Sequence, residues 1–117
     1  MKNLLLAGLI CFAASLTCTT SNAKSMAKIL SDSGLSPEDF AIMTAQGATL
    51  FVTVTPRKGA TTQWQNDATH SYGVVQLVAV QANCVLLRHL VHPNGAQKAR
   101  EIRTRRCETS DGNWILQ

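Results

Sequence analysis

The chain has 117 residues, and its 11 lysine and arginine residues against 7 aspartate and glutamate residues give a formal net charge of +4. A chain of this length forms one small domain around a single hydrophobic core. It shows no internal repeat or low-complexity tract, which excludes repeat architectures, and its positive charge is mild.

Residues 1–23 have the pattern of a secretory signal peptide. Lys2 gives a positive start, residues 4–16 form an apolar run, and residues 21–23 supply small side chains at a cleavage site. The apolar run is shorter than the about 20 residues that span a bilayer, so a retained membrane anchor is the less favoured alternative. We expect cleavage after Ala23, which leaves 94 of the 117 residues and no transmembrane segment in the mature chain.

Cys18 offers a second route of processing, in which a lipid is attached to a mature N-terminal cysteine. A bacterial lipoprotein signal prefers leucine three places before that cysteine and a small residue directly before it. Here Leu16 is one place late and Thr17 is a poor fit. We therefore favour soluble cleavage over lipoprotein cleavage before Cys18, and expect an exported protein of the periplasm or the outer membrane.

An N-terminal arm and a helix come first in the mature chain. Residues 24–35 have apolar side chains at helical spacing up to Gly34 and are predicted to form a short helical arm. Ser36 suits an N-cap, and Pro37 suits the first helical position. We predict a helix over about residues 36–50, with a buried stripe that consists of Phe40, Met43, Gly47, Leu50 and Phe51.

The apolar pattern changes its period after the break at residues 56–59. Residues 51–55 are β-branched and either begin a strand or end the helix. Alternating and β-branched segments then predict strands at 60–66, 72–81, 82–92, 97–108 and 114–117, with turns at 67–71, 93–96 and 109–113. The expected fold class is α+β, a domain over 36–117 in which one helix packs on an antiparallel β-meander of four to five strands.

Cys84 and Cys107 are the two cysteines outside the N-terminal segment. In an exported chain such a pair argues for a disulfide. If the hairpin loop comprises residues 94–97, the two cysteines lie directly opposite each other, close to bonding distance. Neither cysteine belongs to a CxxC motif, and His89 and His92 point to opposite faces of a strand. We therefore expect a structural bond, no metal site and no cofactor.

An ordered set of residues runs through the predicted sheet and consists of Trp64, Asn66, Thr69, Gly73, Cys84, Cys107, Asp111, Gly112 and Trp114. In this motif the sequence resembles the C-terminal domain of the rickettsial seventeen-kilodalton outer-membrane surface antigen family and its alphaproteobacterial relatives. The resemblance covers about residues 36–117. It implies export to the periplasm or outer membrane and no catalytic activity. The chain differs from the family pattern at His70, Val85 and Glu108.

Four arginines are concentrated in the predicted fourth strand. Because side chains alternate across a strand, Arg103 and Arg105 share a face with Cys107, whereas Arg100 and Arg106 share the opposite face. This division weakens any single basic patch. The structural interpretation is a solvated strand whose arginines protect a sheet edge.

The binding interpretation assigns these arginines to an anionic partner. An envelope protein or a surface of anionic lipid or lipopolysaccharide is possible, whereas export argues against nucleic acid. The predicted partner-binding residues are Arg103, Arg105 and Arg88.

We expect a non-enzymatic structural or interaction module of the cell envelope. Trp64 and Trp114 are interpreted as core and capping residues rather than a ligand platform. Asp67 and Asp111 are interpreted as turn formers, and no nucleophile–base pair is visible. The alternative is a secreted inhibitor of an envelope hydrolase such as lysozyme, with residues 70–72 entering the enzyme cleft; the basic charge argues against it.

Overall fold

Two helices precede a five-stranded antiparallel sheet in the computed structural model, which describes residues 26–117. The predicted signal peptide, its cleavage site and Cys18 lie outside the described residues. The elements are α1 (Met26–Ser33), α2 (Pro37–Ala48), β1 (Thr61–Asn66), β2 (Ser71–Gln81), β3 (Cys84–His92), β4 (Arg100–Glu108) and β5 (Trp114–Leu116), with one turn of 3₁₀ helix at Pro93–Gly95.

The predicted fold class is confirmed. The strands are ordered β1-β2-β3-β4-β5, so each strand pairs with its neighbour in the chain, and every pair is antiparallel. The predicted arm forms α1, so the domain has two helices rather than one. Ile29 of α1 is 1 % exposed and belongs to the same core as α2 and the sheet.

The start of α2 follows from its sequence. Ser36 Oγ accepts a hydrogen bond from the amide of Asp39, and the Asp39 carboxylate accepts one from the amide of Ser36, each at 3.1 Å. This reciprocal pair is a capping box, and Pro37 occupies the first helical position. After the helix, residues 51–55 form turns and bends, so of the two predicted possibilities they end the helix rather than begin a strand.

The sheet has one face against the helices and one face open to solvent, which we call the helix face and the open face. Alternation along each strand decides which side chains lie on which face. The helix face is covered by α1 and α2, so it carries the hydrophobic core. Its fully or nearly fully buried apolar side chains from the central strands are Val75, Leu77, Val85, Leu87, Val91 and Ile102.

The register between β3 and β4 places Cys84 directly opposite Cys107, and the two residues form a disulfide on the open face. This confirms the predicted pairing. The connection itself is longer than predicted, because the ladder ends at the pair Val91 and Arg100 and residues 93–99 join the strands. The register is the predicted one, because a loop of residues 94–97 would also place Val91 opposite Arg100.

No helix among residues 26–117 has both the length and the apolar composition needed to cross a bilayer.

Candidate functional site

Asp39 lies at the centre of a buried polar network. Its carboxylate is 0 % exposed. Asn66 Nδ2 and Thr69 Oγ1 donate to Oδ1 at 2.8 and 2.6 Å, and Ser71 Oγ and the Ser36 amide donate to Oδ2 at 2.8 and 3.1 Å. Burial raises the pKa of Asp39, but the bonds from Thr69, Ser71, Ser36 and Asn66 outweigh it and hold that pKa below its usual value.

This network explains two residues of the sequence motif, Asn66 and Thr69. Both lie at the β1–β2 turn, and both bind the helix rather than solvent. Ser71 extends the network, because its Oγ also accepts from the amide of Asn94 in the β3–β4 connection at 2.9 Å. The carboxylate therefore joins three connections of the fold, which is a structural role.

Trp64 and Gly73 form a second structural pair. They are opposite each other in the β1–β2 register. A Cβ at Gly73 would lie 2.5 Å from the carbonyl oxygen of Leu90 and 2.9 Å from Trp64 Nε1, so only glycine fits beside the buried indole. Trp64 lies on β1 and Trp114 on β5, the two edges of the sheet, and the two rings do not share a platform.

Trp114 closes the far edge of the core. Its ring meets that of Phe51 edge-on, with centroids 4.8 Å apart. The turn before it needs Gly112, whose φ is 83°, and Thr109 Oγ1 accepts from the amide of Asn113 at 3.3 Å. Threonine rather than Asp111 supplies this side-chain bond, which places Asp111 in the turn but not as its cap.

The three predicted partner-binding arginines converge on the open face. Arg88 and Arg103 are directly opposite each other, and Leu86 opposite Arg105 places the third arginine beside them. Glu101 Oε1 lies 3.0 Å from Arg88 Nε and 2.9 Å from Arg103 Nε. The hydrogen bonds from Arg103 and then Arg88 lower the pKa of Glu101. We call Arg88, Arg103 and Arg105, with Glu101, the arginine surface.

Apolar side chains border the arginine surface. Val74 and Leu90 are half-buried, and Ile115 is 43 % exposed. Tyr72 stacks on His92 across the strands, with ring centroids 4.3 Å apart and planes at 7°. The open face therefore combines positive charge with accessible apolar area, a composition found at binding surfaces.

The helix face of β3 carries a different polar group. His89 is 3 % exposed on the helix face, and its Nε2 pairs with Thr104 Oγ1 at 2.9 Å. Its Nδ1 is buried and has no hydrogen-bond partner among the described residues. Burial and, to a lesser degree, the charge of Arg106 lower the pKa of His89 to about 4, so the imidazole is neutral at pH 7. The predicted division of His89 and His92 between two faces is confirmed.

Two of these features are not predictable from the sequence pattern. For Asp39 the pattern indicates only a favourable negative charge at the start of the helix, although the close spacing of Asn66, Thr69 and Ser71 is a signal that polar side chains meet. For Arg106 the alternation of the strand predicts the face opposite Arg105, but not what that side chain contacts.

Comparisons with known proteins identify no similar protein. No protein-family model, no curated protein and no solved structure matches this chain. Within residues 26–117, no group of three or more histidine, cysteine, aspartate or glutamate side chains is arranged to hold a metal ion.

Proposed function

We propose that the protein is a non-enzymatic, exported module of the cell envelope that binds an anionic partner through its arginine surface. One observation carries this proposal: three arginines lie together on a solvent-exposed sheet face with a single carboxylate among them. The resemblance to surface antigens is in accord with it, and so is the signal-like segment at residues 1–23.

The geometry of the ion pairs supports binding rather than mere solvation. Glu101 contacts Arg88 and Arg103 through their Nε atoms, so the terminal amino groups of both guanidinium ions stay available for a second acceptor. Exposed pairs of this kind contribute little to stability. Their effect is to hold two guanidinium groups in place, which lowers the entropy lost when an anion binds.

Arg105 adds a third positive charge and forms no ion pair within residues 26–117. Its Nη2 lies 3.4 Å from Cys84 Sγ, so the disulfide positions this side chain. Three arginines and one glutamate give the surface a local charge of about +2, which suits clustered acidic side chains or anionic head groups.

Charge reversal tests the proposal. The double variant Arg103→Glu/Arg105→Glu should lose binding to vesicles that contain phosphatidylglycerol, and should no longer fractionate with envelopes. Its melting temperature should change by only a few degrees, because exposed charges contribute little to folding. The matched control is Arg57→Glu/Lys58→Glu, which makes the same charge change in an exposed loop.

An equal loss of binding in both double variants would show that net charge, and not the arginine surface, accounts for the binding. Loss of folding in the first variant would make the arginines structural. Binding to an envelope protein, with no binding to vesicles, would identify the partner as a protein and leave the surface assignment in place.

The inhibitor of an envelope hydrolase remains the alternative proposal, and no specific observation favours it. Of the three residues expected to enter an enzyme cleft, Ser71 is buried and bonded to Asp39, and Tyr72 is stacked on His92. A lysozyme activity assay with the purified protein separates the two proposals, because only the inhibitor would lower turnover.

A further inference from the structure

A cleft lies on the helix face, between the C-terminal half of α2 and strands β4 and β5. It has a volume of about 260 Å³ and opens to solvent. Arg106 and Thr44 form its polar end, and Ala48, Phe51 and Trp114 form its apolar wall. It is separated from the arginine surface by the sheet itself.

Arg106 is the unusual residue of this cleft. Its guanidinium is half-buried, and burial lowers its pKa, although arginine stays charged in proteins. Among the described residues, its guanidinium makes one hydrogen bond, from Nη2 to Thr44 Oγ1 at 3.4 Å. No carboxylate lies within 4.0 Å of it among residues 26–117. A cation withdrawn from water without an anionic partner is unfavourable, so the site has unused capacity for an anion.

A smaller cavity adjoins the cleft. It has a volume of about 10 Å³, and Thr44, Phe51 and Arg106 line both spaces. His89 and Thr104 line only the smaller one. His89 has a buried Nδ1 without a hydrogen-bond partner among residues 26–117, and the smaller cavity has room for about one water molecule.

The apolar wall limits the kind of anion. The rings of Phe51 and Trp114 are in edge contact, and Val52 beside them is 48 % exposed. A ligand that fills the cleft needs an apolar body next to its charge. Of the described residues that line the cleft, only Arg106 is charged. A planar monoanion therefore matches the site better than phosphate, which calls for more donors.

We infer that this cleft binds a small carboxylate with a short apolar chain, its carboxylate on Arg106 and Thr44 and its chain against Ala48 and Trp114. The volume is below the about 300 Å³ at which sites for drug-sized ligands begin, so the chain is short. The inference is independent of the arginine surface.

The test uses hexanoate as the ligand and NMR as the readout. Titration of the purified protein should shift the side-chain Nε resonance of Arg106 and the indole resonance of Trp114, and leave the indole of Trp64 in place. Hexanamide has the same shape without the charge and should bind at least about tenfold more weakly. Equal binding of hexanamide, or shifts with phosphate and none with hexanoate, would overturn the inference.

Two variants locate the site. Arg106→Gln should weaken hexanoate binding at least about tenfold, whereas Arg57→Gln, the charge-matched control on a loop, should leave it unchanged. Ala48→Leu keeps Arg106 and fills the apolar end, so it should also abolish binding. If Arg106→Gln does not fold, hexanoate binding to Ala48→Leu tests the position of the site. Retained affinity in either folded variant contradicts the assignment, and loss of vesicle binding through Arg103 and Arg105 has no bearing on it.

Discussion

Asp39 lies in the first turn of α2, whereas Arg106 of β4 contacts the C-terminal half of that helix, and the two charges differ in their hydrogen-bond partners. The Asp39 carboxylate is fully buried and accepts four hydrogen bonds. The Arg106 guanidinium is half-buried and donates one long hydrogen bond among residues 26–117. Asp39 also lies at the positive end of the helix dipole, which favours its charge. A charge whose bonding capacity is filled by the chain stabilises the fold, whereas one left with free capacity can bind something else.

Removal of the Asp39 carboxylate should have the largest effect. Asp39→Ala leaves the polar groups of Asn66, Thr69 and Ser71 buried without their acceptor, and we expect a loss of about 4 kcal/mol in the free energy of unfolding. Urea denaturation measures this. The control is Glu38→Ala, an exposed acid in the same helical turn, which should lose less than about 1 kcal/mol. Comparable losses in the two variants would show that the hydrogen bonds of Asp39 do not account for the loss of stability.

The next effect comes from His89. Its pKa is about 4 in the folded state against 6.5 in the unfolded chain, so the unfolded state binds the proton first as pH falls. This stability is present above pH 6.5 and is lost as pH falls toward 4, with about 2 kcal/mol lost between pH 7 and pH 5.

His89→Leu should remove that part of the pH dependence, measured as the difference in unfolding free energy between the two pH values. His70→Ala, at an exposed histidine, is the control and should keep the wild-type dependence. Asp39 does not contribute to the change between pH 7 and pH 5, because its pKa is lowered from the ordinary value of 3.8. An unchanged slope in His89→Leu would mean that His89 has the same pKa in the folded and unfolded states, against the expected lowering.

The smallest change is expected at Arg106. Arg106→Met replaces an unpaired, half-buried cation by an apolar chain of similar length, and the free energy of unfolding should stay within about 1 kcal/mol of the wild type or rise. Chemical denaturation of the two proteins side by side measures it. A loss as large as that of Asp39→Ala would make Arg106 a structural residue and remove the contrast between Asp39 and Arg106.

The start of the helix, the strands and the pairing of the cysteines could be predicted from the sequence, because they depend on local signals. The cap at Ser36 and Pro37 predicted the helix start, and alternating side chains predicted the strands. Counting across the hairpin predicted that Cys84 and Cys107 meet. Each of these depends on neighbours in the chain or across one turn.

The contacts of Asp39 and Arg106 were not predictable in the same way. Asp39 meets Ser71 across 32 positions of sequence, and Arg106 meets Thr44 across 62. Such contacts depend on how α2 lies across the sheet, and periodicity carries no information on that angle. The spacing could show that Arg105 and Arg106 occupy different faces, but not that Arg106 lines a cleft.

The disulfide has a further consequence, which concerns the alignment of β3 and β4. Because side chains alternate, a slip of one residue between these strands would turn Arg103 and Arg105 toward the helices and Arg106 toward solvent. The same slip would turn Cys107 away from Cys84, so the bond is compatible with one alignment. In the oxidised protein the disulfide therefore fixes the register of β3 and β4. This register keeps Arg103 and Arg105 on the open face and Arg106 in the cleft.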